Sequence, residues 1–473
     1  MVGAEQAAAE LKKYIIIEGN IFMNVCLLND SFPPVIDGVA NVVINYAQIM
    51  QDEGLAKVAV ATPKYPDADY SSYSYRVIPY QSIDTTHLVD GYRTGNPFSV
   101  SELKELSDFA PDIIHSHCPF SSTVMARMLR YRTDAPIIFT YHTKFDIDIA
   151  RAVKAKFLQK EAAKTIVENI ASCDEIWVVS KGAGENLKSL GYEGDYRVVH
   201  NGVDFDKGRV DAETVAKVTK KFDLPSNLPV FMFVGRIVKY KGIPLILEAL
   251  SKLNNDNIDF RFVCIGSGPD EDEIKEMAAK LLKPEQVIFT GAIYDRDILR
   301  AWNTRADLFL FPSTYDTNGI VVREAAACGL ASVLIKESCA AEGITDGQNG
   351  FLIEENADSM YELLKRVHQD FDYMADVGTH AMDEIYISWK DSVHSACERY
   401  NELIEAKKSG KLVLNHHAIT NAALSFHEEF LNKYEKLQAQ IERFNNEISL
   451  TEQKFGQIKE SIKENLDTHK VVK

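Results

Sequence analysis

The stretch from Phe311 to Leu330, FPSTYDTNGIVVREAAACGL, holds the densest set of residues able to do chemistry. An apolar run ends at Pro312, a polar loop carries Asp316, and a helix is expected to begin near Asn318-Gly319. The first amides of a helix lack intrahelical acceptors and sit at the positive end of its dipole. The amides of Asn318, Gly319 and Ile320 could therefore cradle a diphosphate. Gly319 would let a phosphate approach the backbone closely. Glu324 follows Asp316 by eight positions, about one and a half turns into such a helix. A carboxylate there can accept hydrogen bonds from ribose hydroxyls. The competing reading, a capping Asp and a satisfied helix Glu, carries equal weight on this stretch alone.

A second cluster is Gly235-Arg236-Ile237-Val238-Lys239-Tyr240-Lys241-Gly242, directly after the apolar run FMFV. Arg236 offers a planar fork and Lys241 a point charge, a pairing that suits a diphosphate gaining negative charge as it leaves. A solvated turn explains Lys239 equally well. The Gly-rich segment IGSGPD, with Gly266, is a weaker signal of the same kind.

These residues need elements to hold them. From Met23 onward, apolar runs alternate with amphipathic stretches: VAVAT, DIIHSH, PIIFTYH, EIWVVS and YRVVH, then PVFMFVG, RFVCIG, QVIFTG, LFLFPS and ASVLI. Near-continuous apolar strands separated by helices predict an α/β fold with parallel sheets covered on both faces. Two consecutive series imply two doubly wound domains, at 23–205 and 206–385, with ligands at the carboxyl ends of the strands. Helices are expected over Ala357–Val367 and about Met382–Ala406, with residues 386–410 returning toward the first domain. Residues 1–22 read as an appendage. Within 411–473, Phe430, Tyr434, Leu437, Ile441, Phe444, Ile448, Phe455, Ile458 and Ile462 follow a 4-3 spacing typical of a coiled coil. The spacing favours a homodimer over a helix folded back on the catalytic domains.

The net charge of −17 argues against nucleic acid as a partner. Seven dispersed cysteines with no CxxC pair suggest reduced thiols. With no apolar run of ~20 residues and no leader pattern, a cytoplasmic protein is expected. His115, His117 and Cys118 in HSHC raise the question of a metal site. Adjacent strand-end residues alternate faces and no second ligand pair has suitable spacing, so no metal and no cofactor are expected.

Taken together and in order, these pieces resemble the retaining glycosyltransferases of the GT-B fold, two facing Rossmann-like domains, and specifically family 4. The resemblance rests on GRIVKYKG, IGSGP, FTGAIYDRDI, the acid-X7-Glu motif and EAAACGL, with LNDSFPPVIDGVANVV, PDIIHSHCPF, FTYHTKF and VVHNGVD in the first domain. It spans about Met23 to Glu405. It implies that Arg236 and Lys241 hold the donor diphosphate, with Gly235 and Gly266 in the same site. Asp316 would touch hydroxyls of the transferred sugar, Glu324 the ribose, and Asn318, Gly319 and Ile320 the phosphates. Gly38 would let its loop close over phosphate and acceptor, and His142 would lie beneath the sugar. It also implies a metal-independent, front-face reaction with the leaving phosphate as base, and UDP-glucose as donor. Two departures stand out. Asp316 sits where the family more often has Glu, which bears on sugar choice, and Ala331 replaces a proline, which bears on local stiffness.

The first-domain motifs are most similar to bacterial diacylglycerol and related glycolipid glycosyltransferases. The basic segment Arg151–Lys160 could meet anionic headgroups, placing the protein peripherally at the inner membrane face, although a solvated helix explains it as well. Soluble sugars, sugar phosphates and polysaccharide intermediates stay open as acceptors. So do an epimerase or phosphorylase on the same scaffold and a non-catalytic assembly partner.

Overall fold

The computed structural model describes residues 23–415, apart from 36, 86–91, 147–148 and 150–155. The appendage 1–22, most of the basic segment and the 4-3 apolar spacing lie outside the described residues. Of the basic segment, Lys156 and Lys160 open the helix Lys156–Ala171.

Two parallel sheets account for the two series of apolar runs. The first contains β1 (Met23–Leu28), β2 (Ala56–Pro63), β3 (Arg76–Tyr80), β6 (Ile113–Ser116), β7 (Ile137–Tyr141), β8 (Glu175–Val178) and β9 (Arg197–Val198). Their order is β3-β2-β1-β6-β7-β8-β9. A short antiparallel ribbon, β4 (Ser82–Asp84) with β5 (Arg93–Gly95), stands beside it. The second sheet is built from β10 (Val230–Val234), β11 (Arg261–Ile265), β12 (Val287–Gly291), β13 (Leu308–Phe311), β14 (Ser332–Ile335) and β15 (Phe351–Ile353). Its order is β12-β11-β10-β13-β14-β15. Both sheets belong to one compact unit ending at Leu414.

Continuous apolar strands are what a sheet covered on both faces requires, and β1, β7, β10, β11, β13 and β14 are buried almost throughout. Each sheet reverses direction once: between β1 and β6 in the first, and between β10 and β13 in the second. Loops leaving neighbouring strands there run to opposite sides and open a crevice. The candidate residues Gly38, Arg236, Lys241 and Asp316 follow strands at these two points.

The sequence places one helix over about Met382–Ala406, but the structure has two, Phe371–Glu384 and Trp389–Lys408. The chain breaks between them because Val203 N donates to Ile387 O at 3.0 Å and Ser388 caps the next helix through Asp391 N. That last helix buries Trp389, Val393, Ala396, Tyr400 and Leu403 in the core of the first sheet. The expected strand YRVVH shrinks to Arg197–Val198, an exposed edge.

Candidate active site

The carboxyl ends of β10 and β13 carry the two clusters singled out from sequence. After β10, Gly235 and Arg236 lead into a short 3-10 turn, Lys239–Lys241. After β13, the loop Pro312–Asn318 leads into the helix Ile320–Ala327. The loops touch: Nζ of Lys241 lies 2.9 Å from Oδ1 of Asp316, and Ser313 Oγ donates to the other carboxylate oxygen at 2.5 Å. Lys241 also stands 5.4 Å over the Phe311 ring. Arg236 is exposed; its carbonyl accepts from Val238 N at 3.0 Å, and its guanidinium meets no partner among the described residues. Gly266 holds the floor of the site. A Cβ there would sit 1.9 Å from the carbonyl oxygen of Gly235, so only glycine allows the β10 and β11 loops this close.

Gly319 is left-handed (φ 57°) and forms the N-cap of the helix, and no side chain caps that end. The start therefore presents amides to the cleft. Both carboxamide atoms of the buried Asn318 lack a protein partner. Glu324 sits in the helix as the spacing predicts, but it is only 6% exposed and its Oε1 takes a hydrogen bond from Arg296 at 2.5 Å. Burial pushes its carboxyl up and Arg296 pulls it back. Arg296 lies in FTGAIYDRDI, 28 positions before Glu324, and no local spacing marks it as that residue's partner.

The first sheet contributes the facing wall. Gly38 opens the helix Gly38–Asp52, and a Cβ on it would meet nothing within 4 Å. Asp37 caps that helix, accepting from the amides of Val39 and Ala40 and from the Tyr92 hydroxyl, each at 2.7 Å. His142 follows β7. Burial pushes its imidazole down to about 4, partly offset by the charge of Asp37, so the ring is neutral at pH 7. Two hydrogen bonds link this wall to the Asp316 loop: Thr317 Oγ1 to His142 O at 2.6 Å, and Lys144 Nζ to Thr314 O at 3.1 Å. A third contact set was missed in the sequence. Glu342, after β14, accepts from the amides of Lys181 and Gly182 at 2.7 and 2.6 Å, at the start of the helix Lys181–Ser189.

Alternation of faces along the strand does not separate the two histidines of HSHC. Residues two apart share a face, and the rings of His115 and His117 lie 4.1 Å apart on one side of β6. Tyr400, Thr140 and His142 occupy nitrogens of these rings. Among the described residues, no group of three or more His, Cys, Asp or Glu side chains is arranged to hold a metal. Likewise, no described helix is long and apolar enough to cross a membrane.

With this geometry established, comparison with known proteins identifies the scaffold. Residues 36–207 match the family model Glycosyltransferase Family 4, and residues 215–382 match Glycosyl transferases group 1. The chain belongs to the glycosyltransferases of family 4 type. The alpha-monoglucosyldiacylglycerol synthase of Acholeplasma laidlawii is 23% identical, across 82% of this chain and 99% of that protein. A GDP-mannose-dependent alpha-mannosyltransferase of Corynebacterium glutamicum is 26% identical over 70% of this chain and 77% of its own length. Among solved structures, Anabaena HepE in complex with UDP matches with a TM-score of 0.63 at 16% identity, covering 80% of this chain and all of that one. Sucrose-phosphate synthase of Thermosynechococcus elongatus matches with the same score at 18% identity, covering 81% and 100%. The glycosyltransferase therefore has the GT-B fold, two parallel α/β domains.

Proposed function

We propose that this glycosyltransferase moves glucose from UDP-glucose to a membrane lipid acceptor of the diacylglycerol class, with retention of configuration and without a metal. The observation that carries the reading is the pair Lys241–Asp316, 2.9 Å apart and drawn from two strands that flank the switch point, beside the uncapped helix start at Gly319. A cation, a sugar-reading carboxylate and free amides converge where a nucleotide sugar's diphosphate and hexose would meet. Arg236 and Lys241 would take the diphosphate and stabilise it as it leaves. Asp316 would accept from sugar hydroxyls, and Glu324 from the ribose, in both cases exchanging its present partner for the ligand. Gly38 leaves room above the donor. The arrangement supplies positioning and charge rather than a protein nucleophile, and the departing phosphate would accept the acceptor's proton.

Glucose and lipid are supported by the relatives from Acholeplasma laidlawii and Streptococcus pneumoniae, whose names specify an alpha-glucosyl product on diacylglycerol. UDP is supported by the fold-matched complexes with UDP and UDP-glucose. A lipid acceptor implies peripheral contact with the cytoplasmic membrane face. The 4-3 spacing from Phe430 to Ile462 supports a homodimer.

Purified protein incubated with UDP-, GDP- and ADP-sugars, with and without diacylglycerol micelles, tests the reading. It predicts an α-glucosyl lipid, seen by mass spectrometry and NMR, only with UDP-glucose and lipid present. Transfer to a soluble sugar alone would refute the lipid acceptor, and failure of every nucleotide sugar would refute the donor site.

A further inference from the structure

The carboxyl ends of β6 and β7 set three buried histidines in a row: His115, His117 and His142. The His117 and His142 rings stack at 5.3 Å with 23° between their planes, and His117 Nδ1 lies 3.0 Å from His142 Nε2. His115 is occupied at both nitrogens, by the Tyr400 hydroxyl at 2.5 Å and the Thr140 hydroxyl at 2.7 Å. The His117 ring has one hydrogen-bond partner only, because its Nε2 is buried with none. Among the described residues, no group takes Nδ1 of His142.

A hydrogen bond between two neutral imidazoles holds one proton, so one ring donates and the other accepts. If His142 donated through Nε2–H, His117 would accept at Nδ1 and carry its own proton on Nε2. That proton would be a buried N–H with no acceptor, which costs its full desolvation. Orphaned buried N–H groups are rarer than acceptors with a spare lone pair. The reverse arrangement leaves only a bare lone pair at His117 Nε2, and it forces the His142 proton onto Nδ1.

We infer that His117 is a positioning residue that holds His142 as its Nδ1–H tautomer, so that His142 offers the cleft a hydrogen-bond donor and not an acceptor. The inference rests on the proposed reading that the cleft binds a nucleotide sugar, in which a sugar oxygen accepts this bond. Two features keep the arrangement fixed. His115, 4.1 Å away, and Tyr46, edge-on at 5.9 Å, pack the His117 ring in place. The Thr317 hydroxyl ties the His142 carbonyl to the loop that carries Asp316. The donor N–H is thereby set against the same sugar that Asp316 reads from the other domain.

The tautomer can be read without turnover. In the full chain labelled with 15N-histidine, the ring pattern of His142, assigned by its loss in His142→Gln, should be that of Nδ1–H at pH 7. His117→Leu should abolish the preference. His117→Asn should restore it, because the carboxamide N–H can stand near the position of Nδ1. In turnover, His117→Leu should lower kcat about tenfold to a hundredfold with donor KM changed by less than about threefold, and His117→Asn should recover most of the loss. An Nε2–H pattern in the unaltered protein would overturn the inference. So would equal loss of kcat and Tm in both variants with no rescue by Asn. Absence of turnover with every nucleotide sugar would sink the transferase reading while the NMR pattern still decided the tautomer.

Discussion

Replacing Lys241 with methionine keeps most of the side-chain volume and removes the charge. In the structure, Nζ lies 2.9 Å from Asp316 Oδ1, with the two side chains 17% and 24% exposed. Asp316 would keep only the Ser313 hydroxyl. Breaking a pair this far from bulk water should cost about 1–2 kcal/mol, between the surface and buried limits, and lower Tm by a few degrees. The catalytic cost should be larger. Removing one preorganised donor from a developing charge costs about 2.7–4 kcal/mol, or ~10²–10³ in kcat. The assay is initial-rate release of the nucleoside diphosphate at saturating donor, alongside thermal melts. Lys241→Met with Asp316→Asn separates the two effects: stability should return toward that of the unaltered protein while kcat stays low. A kcat within about threefold of the unaltered protein, with the fold intact, would move the diphosphate site away from β10 and refute the reasoning.

Arg296→Leu would leave Glu324 buried without its cation, and its carboxyl, already raised by burial, would rise further; donor KM should increase about tenfold, and an unchanged KM would show that Glu324 does not meet the donor. Glu342→Ala removes two charge-assisted bonds between the second domain and the helix Lys181–Ser189; donor KM should rise roughly threefold to tenfold and small-angle scattering should report a larger radius, whereas an identical scattering curve would show that Glu342 holds nothing together. Acid should unfold the protein early. His115, His117 and His142 are all pushed down by burial, His142 to about 4, so the unfolded chain binds protons that the fold refuses; their contribution is complete above pH 6.5 and is lost as pH falls from there toward 4. The slope should reach about 4 kcal/mol per pH unit at its steepest for three protons. Urea midpoints that stay flat between pH 6.5 and 5 would contradict it.

Much of the scaffold was legible because its signals are local. Apolar strands alternating with helices need only a window of a few residues to be read, and Gly319 marks its turn in the same way. Lys241 and Asp316 were legible as separate strand-exit residues, 75 positions apart; their contact follows from sheet order, which no window shows. The partners that complete the site are less local still. Glu324 is claimed by Arg296, 28 positions earlier, and His115 by Tyr400, 285 positions later. No local pattern marks Glu342, because its partners are backbone amides of the other domain. The break at residues 385–388 was hidden for the same reason, since it depends on Val203. The pair His115/His117 was misread although its signal was present: a spacing of two on a strand means one face.

The hydrogen bonds between the domains bear on how such a site can work at all. A transferase without a protein nucleophile has only placement and charge to lower its barrier, and a misplacement of about 1 Å can cost ~100-fold. The loop that carries Asp316 is tethered on both sides of that residue: Lys144 holds Thr314, and Thr317 holds His142. Both tethers come from residues just after β7 in the other domain. Any movement of one domain against the other therefore displaces the acid that would read the sugar together with the imidazole beneath it. On the proposed reading, donor recognition and domain approach would be one event in this geometry. The glycosyltransferase should accordingly be more sensitive to changes in these few tethers than to changes in the larger area of packing around them.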